Sequence, residues 1–180
     1  MKVYGSEEIR SVVLLGHGGV GKTTVAEAMA YASGVTKRRG KVQEGNTISD
    51  YDPEEIKRKF SINSSVIPVE WDGYKINVLD TPGYFDFVGE AKEALHVAEA
   101  GIIVVSAKSG VQVGTEIAWD MLEERKTPRF IFVNGMDEEG ADLVKVLDQL
   151  QETFGKRIAP FQVPFKENGK FAGFVNVVKM

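Results

Sequence analysis

Short apolar runs and amphipathic stretches alternate along most of this chain. The run "IRSVVLLG" (Ile9–Gly16) is almost continuously apolar and of strand length, as expected for a strand buried on both faces. From Lys22 to about Ser33, the residues Val25, Ala28, Met29 and Ala32 recur at helical spacing and predict a helix with one apolar face. "SSVIPVEW" and "YKINVLD" read as two strands joined at Asp72-Gly73, a dipeptide suited to a two-residue hairpin. Pro68 cannot donate to a ladder, which puts the first of them at a sheet edge. An amphipathic helix follows, carrying Phe87, Val88, Ala91, Ala94, Leu95 and Ala98. Beyond it come the strand run "GIIVVSA", a helix near Thr115–Arg125, the strand "RFIFVN" and a helix near Ala141–Phe154.

Alternating strands and helices predict an α/β fold: a mostly parallel sheet with one antiparallel edge strand and helices on both faces. Two segments break the alternation. Val35–Ser61 is polar, charged and aperiodic, and a loop of that length inside a compact domain usually serves a function. After Pro160 the pattern becomes "FQVPF–KENGK–FAGFVNVV", the signature of a hairpin that begins something else. The expected division is therefore one domain over 1–157 and the start of a further, truncated subdomain over 158–180.

Composition narrows the function more than the fold. With 180 residues, 43% hydrophobic and 27% charged, the chain is an ordinary globular sequence. A net charge of −4 gives no global field to draw it to DNA or another nucleic acid, although a local contact with a ribonucleoprotein stays open. With no cysteine there are no disulfides or thiolate metal sites, which fits a cytoplasmic protein. No apolar run has the length of a signal peptide core or a membrane span.

The chemistry lies in three motifs. "GHGGVGKT" (Gly16, His17, Gly18, Gly19, Val20, Gly21, Lys22, Thr23) matches G-x-x-x-x-G-K-[ST] and stands between a strand and a helix. In that setting backbone N–H groups cradle phosphate oxygens, Lys22 supplies positive charge to the outer phosphates, and the Thr23 hydroxyl is offered to Mg²⁺. Thr24 completes the stretch, and His17 lies beneath the phosphates by position. Asp80 ends an apolar strand, where a carboxylate holds Mg²⁺, commonly through water. It opens "DTPGY", in which Thr81 and Pro82 lead to Gly83, whose N–H can turn toward a terminal phosphate without a Cβ clash. Tyr84 then occupies the position that would handle attacking water. In "NGMD" (Asn134, Gly135, Met136, Asp137) the carboxylate can accept from both N1–H and the 2-amino group of guanine, donors that adenine lacks. Ser106–Lys108 and His96 are read as a strand end and a structural or solvated side chain.

With these elements in this order, the chain resembles a translational GTPase, most closely the GTPase domain of the bacterial elongation factor G family. "EGNTISDYDPEEIKRKFSI" has the length and placement of that family's first switch, and "GVQVGTEIAW" and "FAGFVNVVKM" are similar to later segments. The resemblance implies the three-layer P-loop NTPase fold and a cytoplasmic, monomeric, Mg·GTP-dependent factor that acts on the ribosome. Lys22, Gly83 and Tyr84 would stand at the reaction, and Thr23, Ser61 and Asp80 at the metal. Four departures qualify it: Tyr84 replaces the usual His, Gly135 a Lys, Gly19 a common Asp, and Arg58–Ile62 reads R-K-F-S-I for R-G-I-T-I. A neutral phenol cannot act as an imidazolium, so slow turnover is expected. Two other readings use the same domain: a GTP-binding ribosome-associated module with little hydrolysis, and a ribosomal-protection type of resistance factor.

Overall fold

A computed structural model of the chain describes residues 2–167 and 170–178. The chain parts into two compact units, 1–104 with 113–132 and 105–112 with 133–180.

The first unit is organised by a five-stranded sheet of order β2-β3-β1-β4-β5. Its strands are β1 (Ile9–Leu15), β2 (Ser65–Trp71), β3 (Tyr74–Asp80), β4 (Ala100–Ser106) and β5 (Arg129–Asn134). β1 runs parallel to β3 and to β4, whereas β2 is antiparallel to β3. The hairpin closes at Asp72 and Gly73, with φ of 47° and 84°, and Trp71 stands opposite Tyr74. Positive φ at both central residues is the geometry whose twist matches the flanking strands. Pro68 lies on the edge strand as expected.

Helices cover both faces of this sheet. Ala26 and Ala30 of α1 (Lys22–Ala32) pack in one cluster with Leu14, Ile67, Val69 and Val78. Val13 and Gly101 are paired across β1 and β4 and so point to the other face. There a Cβ on Gly101 would run into Leu122 of α4 (Val113–Glu124), so the helix lies directly on the strand. α3 (Val88–Val97) buries Ala91, Ala94 and Leu95. Val13, Leu14, Ile103 and Val104 are wholly buried, each contributing about 1.5–3 kcal/mol of transfer free energy.

The polar segment 35–61 is not a plain loop. It contains a short 3₁₀ turn (Val42–Glu44) and α2 (Pro53–Arg58). Asp52 caps α2 by accepting from Glu54 N at 2.8 Å, and Glu55 returns to accept from Asp52 N at 3.2 Å. Asp-Pro-Glu-Glu is a capping-box signal with Pro at the first helical position, too short to register as apolar periodicity.

The second unit holds α5 (Leu143–Phe154), capped by Asp142, and the antiparallel pair β6 (Gln162–Glu167) and β7 (Lys170–Asn176). The expected hairpin after Pro160 is thus a pair of strands, and its turn lies outside the described residues. No helix among the described residues is long and apolar enough to cross a membrane.

Candidate functional site

The phosphate-loop residues join β1 to α1 in the first unit. Lys22 is buried, and its ammonium donates to the carbonyls of Gly16 (3.0 Å) and His17 (2.9 Å). Those two bonds hold the side chain back along the loop and leave one of its three protons for an anion. Burial lowers its pKa to about 8, against the charges of Asp80 and Asp50. Val20 is turned into the core with Val25 and Val104, so it supports the loop from beneath. Thr24 is exposed. His17 is half-buried, with its Nδ1 unpartnered and its ring 6.2 Å edge-on from Phe85.

Behind the loop lies a set of oxygens with too few donors. Asp80 is almost wholly buried, yet neither carboxylate oxygen completes a hydrogen bond. Burial raises its pKa to about 6, against the pull of the nearby Thr23 and Ser49 hydroxyls and the Lys22 charge. The Thr23 hydroxyl is 3.2 Å from that of Ser61, and Ser61 donates to Asp50 Oδ1 at 2.7 Å. Asp50 Oδ2 and Ser49 Oγ are also buried without partners. Unpaired buried oxygens are rare and costly, and a group of them signals an ion or water. Hydroxyl and carboxylate oxygens suit Mg²⁺, which keeps several waters and takes few protein ligands. The donor set therefore fits that cation. Among the described residues no three His, Cys, Asp or Glu side chains form a metal cluster of their own.

Thr23 and Ser61, both expected at the metal, lie here with Asp50, which no motif names. Its signal was available only indirectly: an acidic residue in the polar segment that carries Ser61, with no motif of its own.

The D-T-P-G-Y stretch reaches the loop directly. Thr81 is spent on structure, its hydroxyl donating to Leu14 O at 2.6 Å, and Pro82 is buried. Gly83 is in closest approach: a Cβ there would strike Lys22 Nζ and lie 2.7 Å from both Gly18 N and His17 O. Only glycine fits. Tyr84 is 45% exposed, with its ring beside Gly18 and 4.8 Å from the Phe60 ring.

Asn134–Asp137 belongs, by its chain position, to the second unit. Asn134 ends β5, and its carbonyl accepts from Ala107 N at 2.8 Å. Gly135 has φ 77°, a left-handed value that a lysine would adopt only under strain. Glu138 N closes the turn onto Gly135 O at 3.1 Å, Met136 is half-buried, and Asp137 is exposed. Ser106 ends β4 as read, its hydroxyl accepting from Lys108 N and Ser109 N at 3.2 Å each. His96 is exposed on α3 with Nδ1 2.9 Å from Lys92 O, a local helical contact.

Comparison with known proteins adds the family. Residues 7–179 match the elongation factor Tu GTP binding domain. The chain is 36% identical over 170 residues to elongation factor G 2 of Borreliella afzelii (strain PKo), covering 94% of this chain and 25% of that protein. It is 37% identical over 172 residues to the mitochondrial ribosome-releasing factor 2 of Anopheles gambiae, covering 96% and 23%. A crystal structure of a protein from Thermus thermophilus superposes with a TM-score of 0.90 at 44% identity, covering 94% of this chain and 26% of that one. The chain thus spans about a quarter of the length of these relatives.

Proposed function

The chain belongs to the elongation factor Tu GTP-binding domain family, and from that premise we propose that it binds Mg·GTP and Mg·GDP, hydrolyses GTP slowly, and serves a ribosome-acting factor of the elongation factor G type. The observation that carries the reading is Asp80, whose two buried oxygens have no partner beside the Thr23–Ser61 hydroxyl pair. Asp80, Asp50, Thr23 and Ser61 would hold the cation, directly or through its waters. Bound there, Mg²⁺ neutralises charge on the outer phosphates. The remaining proton of Lys22 serves the phosphate oxygens, and the Gly83 N–H senses the terminal phosphate. Phosphoryl transfer depends mostly on positioning and electrostatics, so the protein's task is to fix the phosphates and one water. Tyr84 orients that water as a neutral hydrogen-bonding group. Asp137 reads N1–H and the 2-amino group of guanine, and adenine would leave that carboxylate unpaired.

A second reading, a GTP-bound module with little turnover, is favoured by Tyr84 itself, because a neutral phenol offers the developing charge no cation. The ribosome enters through the relatives called elongation factor G 2 and ribosome-releasing factor 2. Titration with labelled GDP and ADP in Mg²⁺ tests the first step, and single-turnover GTP cleavage with and without ribosomes tests the second. Equal affinity for the two nucleotides would remove the guanine reading. Cleavage that ribosomes do not accelerate would favour the bound-state module.

A further inference from the structure

A turn with no motif of its own stands against Asn134–Asp137 in the second unit. Ala107 is buried, its N–H donates to Asn134 O at 2.8 Å, and its carbonyl accepts from Asp142 N at 3.2 Å. Ser106 to Gly110 closes on itself: Gly110 N donates to Ser106 O at 2.9 Å, and the two residues form a short antiparallel bridge. Gln149, half-buried on α5, holds this turn. Its Oε1 accepts from Val111 N at 3.3 Å. It also packs on the bare backbone of Gly110, where a Cβ would run into the amide oxygen and stand 2.9 Å from Cδ. Gly110, at φ 68°, supplies both the left-handed backbone and the room. Asp142 caps α5 and Gln149 follows about two turns later, so one helix touches the turn at two points.

We propose that Gln149 is a positioning residue for guanine recognition: by fixing the 106–111 turn to α5, it sets the strand end from which Asn134–Asp137 presents its carboxylate. The proposal rests on the guanine reading above and deepens it. Gly135 is left-handed at φ 77° and Asp137 is exposed, so the stretch needs support from a neighbour to keep one geometry. A carboxylate that must meet two donors at once tolerates little displacement, because hydrogen bonds weaken steeply away from their preferred angle. The Ala107–Asn134 bond passes the position of the turn to the first residue of that stretch. Gln149 in turn passes the position of α5 to the turn. These links are the physical content of 105–112 grouping with 133–180 rather than with the strand that precedes it.

The test compares Gln149→Ala and Gln149→Glu in the full protein, with Asp137→Ala as the control. Affinities for GDP and for inosine diphosphate, which lacks the 2-amino group, are measured in Mg²⁺. Amide exchange at Ala107 and Val111 is followed by NMR without nucleotide. Gln149→Ala is expected to speed exchange at both amides and to weaken GDP binding by about fivefold, the worth of one net hydrogen bond. It should also cut the preference for GDP over inosine diphosphate by about threefold or more, since the second bond to the carboxylate suffers most. Gln149→Glu keeps the accepting oxygen and should stay within about twofold of the parent on every measure. Equal losses of the two nucleotides in Gln149→Ala, or faster exchange with the preference intact, would make the glutamine a support of the fold and overturn the proposal. A Gln149→Glu protein that behaves like Gln149→Ala overturns it too, because the accepting oxygen would then not be what matters. If the parent shows no preference, or the preference survives in Asp137→Ala, the guanine reading falls and this role with it. If Asp137→Ala removes the preference and Gln149→Ala does not, the role of Gln149 alone falls.

Discussion

Asp80 and Lys22 are buried together, and each carries the mark of burial in its titration. The Asp80 carboxyl is raised to about 6 from an ordinary 3.8, so the folded chain binds that proton more tightly than the unfolded one. Stability therefore falls as pH rises between about 4 and 6, and the whole penalty, on the order of 3 kcal/mol, is present above 6. Lys22, lowered to about 8 from 10.5, behaves oppositely: its penalty is full below pH 8 and is relieved as pH rises toward 10.5. At neutral pH both penalties coexist, each moderated by the other's charge. Asp80→Asn keeps the shape and removes the buried charge. It is expected to raise the melting temperature of the nucleotide-free chain at pH 7.5 and to leave it unchanged near pH 3.5. The gain should fall short of the full penalty because Lys22 loses a counter-charge. The same variant should weaken Mg-dependent GDP binding by roughly a hundredfold, as loss of a buried charged partner does. Melts across pH check this, and an equal effect at both ends would mean that the carboxylate is not what burial penalises. The place of Asp80 at a strand end was legible in D-T-P-G, because strand end, turn and glycine form one local pattern. Asp50 was not, since what gives it meaning is a hydrogen bond to Ser61 across 11 residues.

At the scale of elements, the segment 35–61 is held by carboxylates turned inward. Glu27 of α1 is buried, with one oxygen accepting from Gly40 N at 2.7 Å and the other from Ile48 N. Glu55 of α2, also buried, accepts from Ile62 N at 2.9 Å and Asn63 N at 3.0 Å. Two acidic side chains thus replace the apolar stripe that anchors the other elements. This explains why hydrophobic periodicity saw the strands and long helices but gave no structure here. A buried glutamate satisfying main-chain donors has no spacing that distinguishes it from a solvated one. Glu27→Ala would leave the Gly40 and Ile48 amides without acceptors, at about 1–3 kcal/mol each. Faster hydrogen exchange over 40–61 and a lower melting temperature are expected. Glu27→Gln, which keeps one carbonyl acceptor, should be intermediate. If Glu27→Ala lowers stability with exchange in 40–61 unaltered, the carboxylate supports α1 alone and the segment is anchored elsewhere.

For the molecule as a whole, the alternation of runs announced the α/β class. The sheet order β2-β3-β1-β4-β5 was not legible, because periodicity says which residues are buried but not which strands are neighbours. The division into two compact units, with 105–112 leaving the first, was not legible at all, since no shift of composition marks it. The unit that holds the phosphate loop also holds the buried oxygens on which ligand binding would act. Asp80 Oδ1 and Oδ2, Asp50 Oδ2 and Ser49 Oγ are buried polar atoms that a cation or water would satisfy. A ligand that binds only the folded chain adds about 2.7 kcal/mol at a hundred times its dissociation constant. In a chain of this size that is roughly a 5–10 °C rise in melting temperature. Mg·GDP is expected to produce it. GDP with a chelator should do distinctly less, because the phosphates would meet Lys22 but the buried oxygens would gain no cation. Magnesium alone should shift the melt only slightly, lacking phosphate oxygens to complete its coordination. Calorimetric melts in these three conditions decide the matter. If GDP stabilises equally with magnesium and with chelator, then Thr23, Ser61, Asp50 and Asp80 do not form a cation site. Their missing hydrogen bonds would then have to be satisfied by water.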